Sequence, residues 1–241
     1  MKRSKFKNGE YYHVYNRGVD KRDVFLDEGD FERFLRSLVE FNRVDPIGSL
    51  ADLEEKIHSE FRSESNSLMK VKIANKIALA SNPQLGIGSR KDPLVELICY
   101  CLNPNHFHFI LRQLIESGIS KFMQKLGMGY TNYFNLKNNR SGVLFQGKFK
   151  AVKIESNEHL LWVSAYVNAN AQIHGLTKDA ANYKWCSYPE YLGESAENFC
   201  HKEIIIKQFK DKEQFKNFMD DCIITMKEKK ELQKYLIENG Y

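Results

Sequence analysis

The stretch Cys101-Leu102-Asn103-Pro104-Asn105-His106-Phe107-His108-Phe109-Ile110-Leu111 decides the fold, because it joins two apolar segments through a turn signal. Segments 94–102 and 107–111 are typical of buried strands, and the Asn-Pro-Asn between them predicts a hairpin. Successive side chains of a strand point to opposite faces. His106 and His108 therefore share one face, whereas Phe107 and Phe109 share the other.

Two imidazoles side by side on a rigid strand form half of a site for a divalent metal, because imidazole is a common ligand and the strand fixes its direction. Two ligands do not define a site. For His106 and His108 alone, a pair of half-exposed strand histidines without a metal is an equally good interpretation. A zinc site that adds Cys99 and Cys101 is a weaker alternative, because the spacing fits no common zinc pattern.

The composition indicates a folded protein with a mild positive charge. The chain has 241 residues, 42% of them hydrophobic, and a formal net charge of +5, which suits one domain with additions or two small domains. The segment 117–154 contains lysines and arginines but no Asp or Glu. A charged stretch is usually a solvated face, but aromatic residues interleave with these cations, and the combination indicates a nucleic-acid surface.

Neither secretion nor a membrane is indicated. The five cysteines are odd in number and irregularly spaced, which argues against a disulfide scaffold. The N-terminal stretch is basic and polar without a signal-peptide core, and no run of about 18 apolar residues follows. We expect a cytoplasmic protein without a membrane partner.

The order of the predicted elements indicates an α+β fold. The apolar patterns predict, in order, a strand at 11–16, a helix behind Asp30, the two hairpin strands, a helix at 119–135, a strand at 143–154 and a helix at 157–172. This order predicts a ferredoxin-like antiparallel sheet with helices on one face, plus a helical C-terminal appendage. Segment 45–93 is predicted to be a partly flexible insertion.

The helix at 157–172 carries two further candidate site residues. Tyr166 and Asn170 are four residues apart and therefore lie on one face of a helix. If that face overlooks the histidine strand, Asn170 offers an oxygen as a third ligand and Tyr166 holds its phenol beside the metal. Mg²⁺ or Mn²⁺ accepts such a set and keeps positions open for phosphate oxygens. On residue type alone, a packing role for Tyr166 is the more common one.

Five blocks of the sequence form a pattern when they are taken together. They are Tyr12-His13-Val14-Tyr15-Asn16-Arg17-Gly18 with 24–27, the histidine block 99–108, Tyr130-Thr131-Asn132-Tyr133-Phe134-Asn135 with 142–149, Tyr166-Val167-Asn168-Ala169-Asn170, and Tyr183-Lys184-Trp185-Cys186-Ser187-Tyr188. In this order they resemble the blocks of REP-associated, IS200-like single-tyrosine HUH transposases. The resemblance covers about residues 11–192 without the insertion. The chain departs from it at Ala171, where the family usually has Pro, and at Lys148, where it usually has Arg.

The resemblance implies a metal-dependent endonuclease and strand transferase that acts on single-stranded DNA beside hairpins through a phosphotyrosine intermediate. It implies His106, His108 and Asn170 as ligands of Mg²⁺ or Mn²⁺, and Tyr166 as the nucleophile. Tyr130 also lies in a matching block, but the residue four positions later is a phenylalanine, which cannot bind a metal; packing or DNA contact is expected there. The oligomeric state, monomer or homodimer, is left open.

DNA contacts are expected from the basic, aromatic-rich segment and from the end of the first strand. The expected contact residues are Arg17, Lys121, Lys125, Tyr130, Arg140, Lys148 and Lys150. The resemblance divides the chain into a transposase-like domain at 1–195, which includes the insertion at 45–93, and a helical extension at 196–241.

Three other functions agree with parts of the pattern. A replication initiator or relaxase would use the same chemistry, but relaxases usually carry a third histidine in the histidine block. A non-catalytic RNA-recognition domain would share the fold, yet residues 147–152 have its signature in the wrong order. Such a binder would also have no use for two histidines, an asparagine and a tyrosine that converge. An inactive relative would bind hairpins only, and the intact His106, His108, Tyr166 and Asn170 argue against it.

Overall fold

The computed structural model of the protein describes residues 5–45, 92–195 and 198–238, together with the single positions 48, 50, 55, 59 and 63. The insertion predicted at 45–93 therefore lies almost entirely outside the described residues. Within the described part of the chain, no helix has both the length and the apolar character that a membrane crossing requires.

A four-stranded antiparallel sheet forms the centre of the fold. Its strands lie in the order β2-β3-β1-β4 and are β1 (Tyr11–Arg17), β2 (Val95–Asn103), β3 (His106–Gln113) and β4 (Lys150–Lys153). Helix α1 (Glu28–Glu40) lies between β1 and β2 in the chain, and α2 (Gly118–Lys137) lies between β3 and β4. This β-α-β-β-α-β order is ferredoxin-like and confirms the predicted α+β class.

Further helices follow the sheet. They are α3 (Asn157–Asn168), the short α4 (Asn170–Ile173), α5 (Tyr188–Tyr191), α6 (Glu203–Ile206) and the long α7 (Lys212–Glu238). The last two, α6 and α7, confirm the predicted helical C-terminal region.

The chain between α4 and α6 covers the outer edge of β2. The amide of Leu102 donates to the carbonyl of Trp185 at 2.8 Å, and the amide of Ser187 donates to the carbonyl of Tyr100 at 2.9 Å. Unpaired edge strands invite association with other chains. These bonds therefore both protect the sheet and anchor the C-terminal region to it.

The two faces of the sheet carry different chemistry, as the alternation of β3 predicts. On one face Phe34 of α1 packs against Phe107 and Phe109, with ring centroids 5.3 and 6.3 Å apart. Tyr130 of α2 meets Phe34 edge-on at 4.8 Å. Burial of each such phenylalanine stabilises the fold by ~1.5–3 kcal/mol. This phenylalanine face is thus a main part of the hydrophobic core.

The opposite face carries His106 and His108 and is covered by α3. Tyr166 of this helix meets His108 edge-on with ring centroids 5.5 Å apart. The prediction of helices on one face holds for α1 and α2, the helices that connect the strands, whereas α3 adds a second layer. The reason is that α3 is apolar on more than one side: it buries Leu160 and Val163 among others, and it packs on both the sheet and α7.

The last strand is shorter than the sequence predicts. Instead of 143–154, β4 spans only Lys150–Lys153. Gly142 and Gly147 have φ angles of +86° and +68°, a left-handed backbone that is available to glycine but not to a regular strand. The residues around them form a loop, which the amide of Gln146 joins to the end of β1 by a 2.7 Å bond to the carbonyl of Arg17.

Two glycines in α2 provide a test of how this helix packs. A Cβ added to Gly129 would lie 2.6 Å from Cε2 of the buried Phe41 ring, whereas a Cβ added to Gly127 would meet nothing within 4 Å. We expect Gly129→Ala to lower the free energy of unfolding by about 1–3 kcal/mol through overpacking. Gly127→Ala should raise it by about 0.5–1 kcal/mol, the helix preference of Ala over Gly. Equilibrium urea denaturation measures both changes, and equal effects would contradict the packing of α2 on Phe41.

Candidate active site

Strand β3 brings His106 and His108 to one face, as predicted, with ring centroids 5.1 Å apart and ring planes nearly perpendicular. Residues that oppose each other in an antiparallel pair share a face. The register therefore places Asn103 and Arg17 on either side of His106, and Tyr15 beside His108. The two imidazoles lie in the middle of the sheet, flanked by polar side chains from both neighbouring strands.

The tautomer of His106 follows from Asn105, the residue before it. Nδ2 of Asn105 donates to the carbonyl of Lys21 at 3.1 Å, which turns its Oδ1 toward Nδ1 of His106 at 2.5 Å. An amide oxygen only accepts hydrogen bonds, so Nδ1 carries the proton and Nε2 keeps its lone pair. This is the form in which an imidazole binds a metal.

Asn103, at the end of β2, links His106 to Asn170. Its buried Nδ2 donates to Nε2 of His106 at 2.9 Å and to Oδ1 of Asn170 at 2.6 Å. One NH₂ group thus holds two of the acceptor atoms that the sequence assigns to a metal. These atoms converge on one place, as a shared cation would require. The sequence gives Asn103 only as part of a turn signal, so its role becomes visible only in the structure.

His108 is bonded to His13 of β1, which sequence reasoning does not single out. Nε2 of His13 and Nδ1 of His108 share a hydrogen bond of 2.9 Å. Burial lowers the pKa of His108, and it lowers those of His13 and His106 to about 4. All three imidazoles are therefore neutral at pH 7, the state that metal binding needs. The alternation of β1 predicts that His13 shares a face with Tyr15 and Arg17. Only the pairing of β1 with β3 shows that this face is the one that carries His108.

Tyr166 and Asn170 reach this site from α3 and α4. The ring of Tyr166 meets His108 and His13 edge-on, with centroids 5.5 and 6.0 Å away. The predicted continuous helix is interrupted at Ala169, where ψ is 6°. The amide of Ala169 still bonds to the carbonyl four residues earlier at 3.0 Å, which preserves the spacing of one turn. As expected, this helix therefore faces the histidines.

Tyr166 is partly buried, and Asn170 is fully buried. Burial raises the pKa of the Tyr166 hydroxyl, and Asn170 opposes this shift. Asn170 is fully buried, yet its Nδ2 has no hydrogen-bond partner in the described part of the chain. A buried donor in this state costs about 1–3 kcal/mol. It is available to an acceptor that enters the site.

Two of the expected DNA contacts have roles inside the fold. Tyr130 is fully buried, and its hydroxyl donates to the carbonyl of Val24 at 2.6 Å. The expectation of a DNA contact at Tyr130 is corrected accordingly, because a ring enclosed between α2 and the sheet is not open to DNA. Nζ of Lys125 donates to the carbonyls of Arg43 and Val44 at 2.6 and 3.2 Å, so this cation holds the chain after α1 against α2.

The remaining expected contacts divide between the two sides of the sheet. Arg17 and Lys150 lie on the histidine face, because they pair in register with residues of that face. Lys121, on α2, and Arg140, just after α2, belong to the opposite side. Lys148 is exposed in the loop before β4. The basic segment is therefore not a single surface beside the histidines.

A zinc site that includes Cys99 and Cys101 is not supported. Both thiols are buried, and desolvation raises their pKa values. Sγ of Cys101 donates to Oδ1 of Asn103 at 3.6 Å and so helps to orient that amide. Among the residues that the structure describes, no three or more His, Cys, Asp and Glu side chains are grouped to hold a metal; the set that converges combines imidazoles with an amide.

Comparison with known proteins gives one family match and one similar solved structure. The family model described as "Transposase IS200 like" matches residues 88–170. A solved structure of a REP-associated tyrosine transposase bound to a REP hairpin is 14% identical, with 83% of this chain and 88% of that chain covered and a TM-score of 0.49. No curated protein matches. The matched segment carries both strand histidines, Tyr166 and Asn170, and the match agrees with the predicted resemblance to IS200-like transposases.

Proposed function

We propose that the protein is a single-tyrosine transposase that nicks single-stranded DNA beside hairpins and transfers the strand through a covalent bond to Tyr166. The family match of residues 88–170 supports a transposase role. The observation that carries the catalytic assignment is the meeting of Tyr166 and Asn170 with His106 and His108 on one face of the sheet. Nucleic-acid binding alone gives no reason to bury these four polar groups together.

The phenol of Tyr166 is the nucleophile in this proposal. A bond forms between its oxygen and the scissile phosphorus, and the hydroxyl proton is lost. The bond from phosphorus to one sugar oxygen breaks, and that oxygen takes up a proton and leaves as the free hydroxyl of the cut strand. Because burial raises the pKa of Tyr166, the phenol stays protonated until the attack. The neighbouring amide of Asn170 favours the anion that the attack requires.

The donor set fits Mg²⁺ or Mn²⁺. Nε2 of His106, an imidazole nitrogen of His108 and Oδ1 of Asn170 would hold the ion, which would withdraw charge from the phosphate. His13 and the asparagine before His106 bond to the other ring nitrogens of His108 and His106. Such outer partners keep ligand rings in one orientation and one tautomer. Nδ2 of Asn103 bonds to the single lone pair of Nε2 of His106, so this hydrogen bond would give way to the ion.

The covalent link explains how cutting and rejoining use one site. A phosphotyrosine bond conserves the energy of the broken phosphodiester, so a hydroxyl at another strand end can displace Tyr166 by the reverse reaction. Arg17 and Lys150, on the histidine face, are positioned to hold neighbouring phosphates. We assign the hairpin-bearing single strand as the substrate on the basis of the family resemblance.

Substitution of Tyr166 tests the nucleophile. With a labelled single-stranded hairpin substrate and Mn²⁺, Tyr166→Phe should reduce the covalent protein–DNA adduct by more than about 10³-fold, because the attacking oxygen is removed. Tyr15→Phe is the matched control, since Tyr15 also lies beside His108, with ring centroids 5.6 Å apart. Denaturing gel electrophoresis measures the adduct. Adduct formation by Tyr166→Phe together with its loss in Tyr15→Phe would reassign the nucleophile.

Substitution of Asn105 tests the metal site. Asn105→Ala removes the acceptor that fixes the tautomer of His106, and we expect the affinity for Mn²⁺ to fall by about 10–100-fold. Asn105→Asp keeps an acceptor in the same position and should retain the affinity. Titration calorimetry with MnCl₂ measures both variants. Unchanged affinity in Asn105→Ala would mean that this tautomer is not needed for metal binding.

A further inference from the structure

A basic pocket opens beside the histidine face, between α7 and the turn after α4. Its volume is about 650 Å³, and its lining includes His174 and Lys178 from the turn and Lys227 and Lys230 from α7. Glu231 is the carboxylate that lines it. Three lysines against one glutamate leave a net charge of +2 with the histidine neutral, so the pocket attracts anions.

His174 connects this pocket to the candidate active site. Its ring meets that of His106 edge-on, with centroids 5.9 Å apart. Nζ of Lys230 donates to the carbonyl of Ile173 at 3.0 Å, which attaches α7 to the end of α4, three residues after Asn170. The pocket is therefore next to the place where the scissile phosphate would lie.

The lysines have hydrogen-bond donors to spare. Among the described residues, no ion pair joins Lys178 or Lys227 to a carboxylate. Lys230 uses one of its three N–H donors on Ile173, which leaves two. Lysines on a solvated helix face point in separate directions, whereas these come from two elements and line one concavity. A concave group of cations of this kind concentrates an anion such as a phosphodiester.

We propose that this pocket binds backbone phosphates of the DNA strand next to the scissile phosphate, so that α7 is part of the DNA-binding surface. The proposal rests on the function proposed above. The strand would run from Arg17, which opposes His106 in the sheet, across the histidines to Lys230 and Lys227. Helix α7 lies outside the family match at 88–170 and outside the basic segment 117–154.

The double variant Lys178→Gln/Lys227→Gln tests the pocket and leaves Lys230, which supports the turn, in place. Each phosphate contact contributes ~0.7 to the slope of log K against log salt for a single strand. We expect the slope to fall by about 1.4 and Kd to rise about tenfold near 0.15 M salt. Lys207→Gln/Lys210→Gln removes the same charge from exposed positions before α7 and should leave both unchanged. Fluorescence anisotropy with the hairpin oligonucleotide measures binding.

Neutral methylphosphonate linkages, introduced one at a time, locate the contacted phosphates. Wild-type protein should lose affinity severalfold at the positions next to the cut. At one or two of these positions the methylphosphonate should cause no further loss of affinity in the Lys178→Gln/Lys227→Gln variant, because this variant already lacks the lysine that contacts that phosphate. Inorganic phosphate at constant ionic strength should not reproduce the effect of the strand; specific competition by phosphate alone would indicate a free-anion site and contradict the proposal.

The outcomes separate this proposal from the proposed function. If wild-type protein forms the Tyr166 adduct but the double variant has the wild-type slope and the wild-type methylphosphonate profile, the pocket does not contact DNA and the nuclease assignment stands. If wild-type protein neither binds the strand nor forms an adduct, both proposals fail.

Discussion

One buried amide, Nδ2 of Asn103, holds the candidate site together. It bonds to β3 through His106 and to α4 through Asn170, at 2.9 and 2.6 Å. A buried NH₂ group must find acceptors, because leaving its hydrogens unpaired costs about 1–3 kcal/mol. The acceptors that it finds are ligand atoms of the proposed cation site. The same bonds that satisfy Asn103 therefore bring residues 67 positions apart into one place before any ligand arrives.

The position of α3 depends on the C-terminal chain as well as on the sheet. Oγ of Ser187 donates to Oδ1 of Asn168 at 2.6 Å and accepts from the amide of Tyr100 at 2.9 Å. This hydroxyl fastens the end of α3 to β2, two residues before Asn170. It also provides a physical reason for the block around Ser187 in the sequence pattern: that segment contains no proposed catalytic group, but it fixes the helix that presents Tyr166.

Local rules predicted the parts of the site that depend on spacing alone. The period of two in β3 placed His106 and His108 on one face, and the spacing of four placed Tyr166 with Asn170. His13 and Asn103 could not be found in this way, because their roles depend on which strands pair and in what register. The sequence could not decide between packing and DNA contact for Tyr130 for a related reason: an aromatic residue in a basic segment has the same sequence signal whether it is buried or exposed.

The two faces of the sheet differ in the kind of side chain that they bury. The phenylalanine face buries apolar rings and stabilises the fold, whereas the histidine face buries Asn103, Asn168 and Asn170 completely. Within the described residues, Nδ2 of Asn168 and of Asn170 has no hydrogen-bond partner. The bonds of Asn103 and of Oδ1 of Asn168 stabilise the fold, whereas each unpaired buried donor costs about 1–3 kcal/mol. The burial of these two unpaired donors is therefore not explained by packing, and it agrees with the chemical role proposed for Asn170.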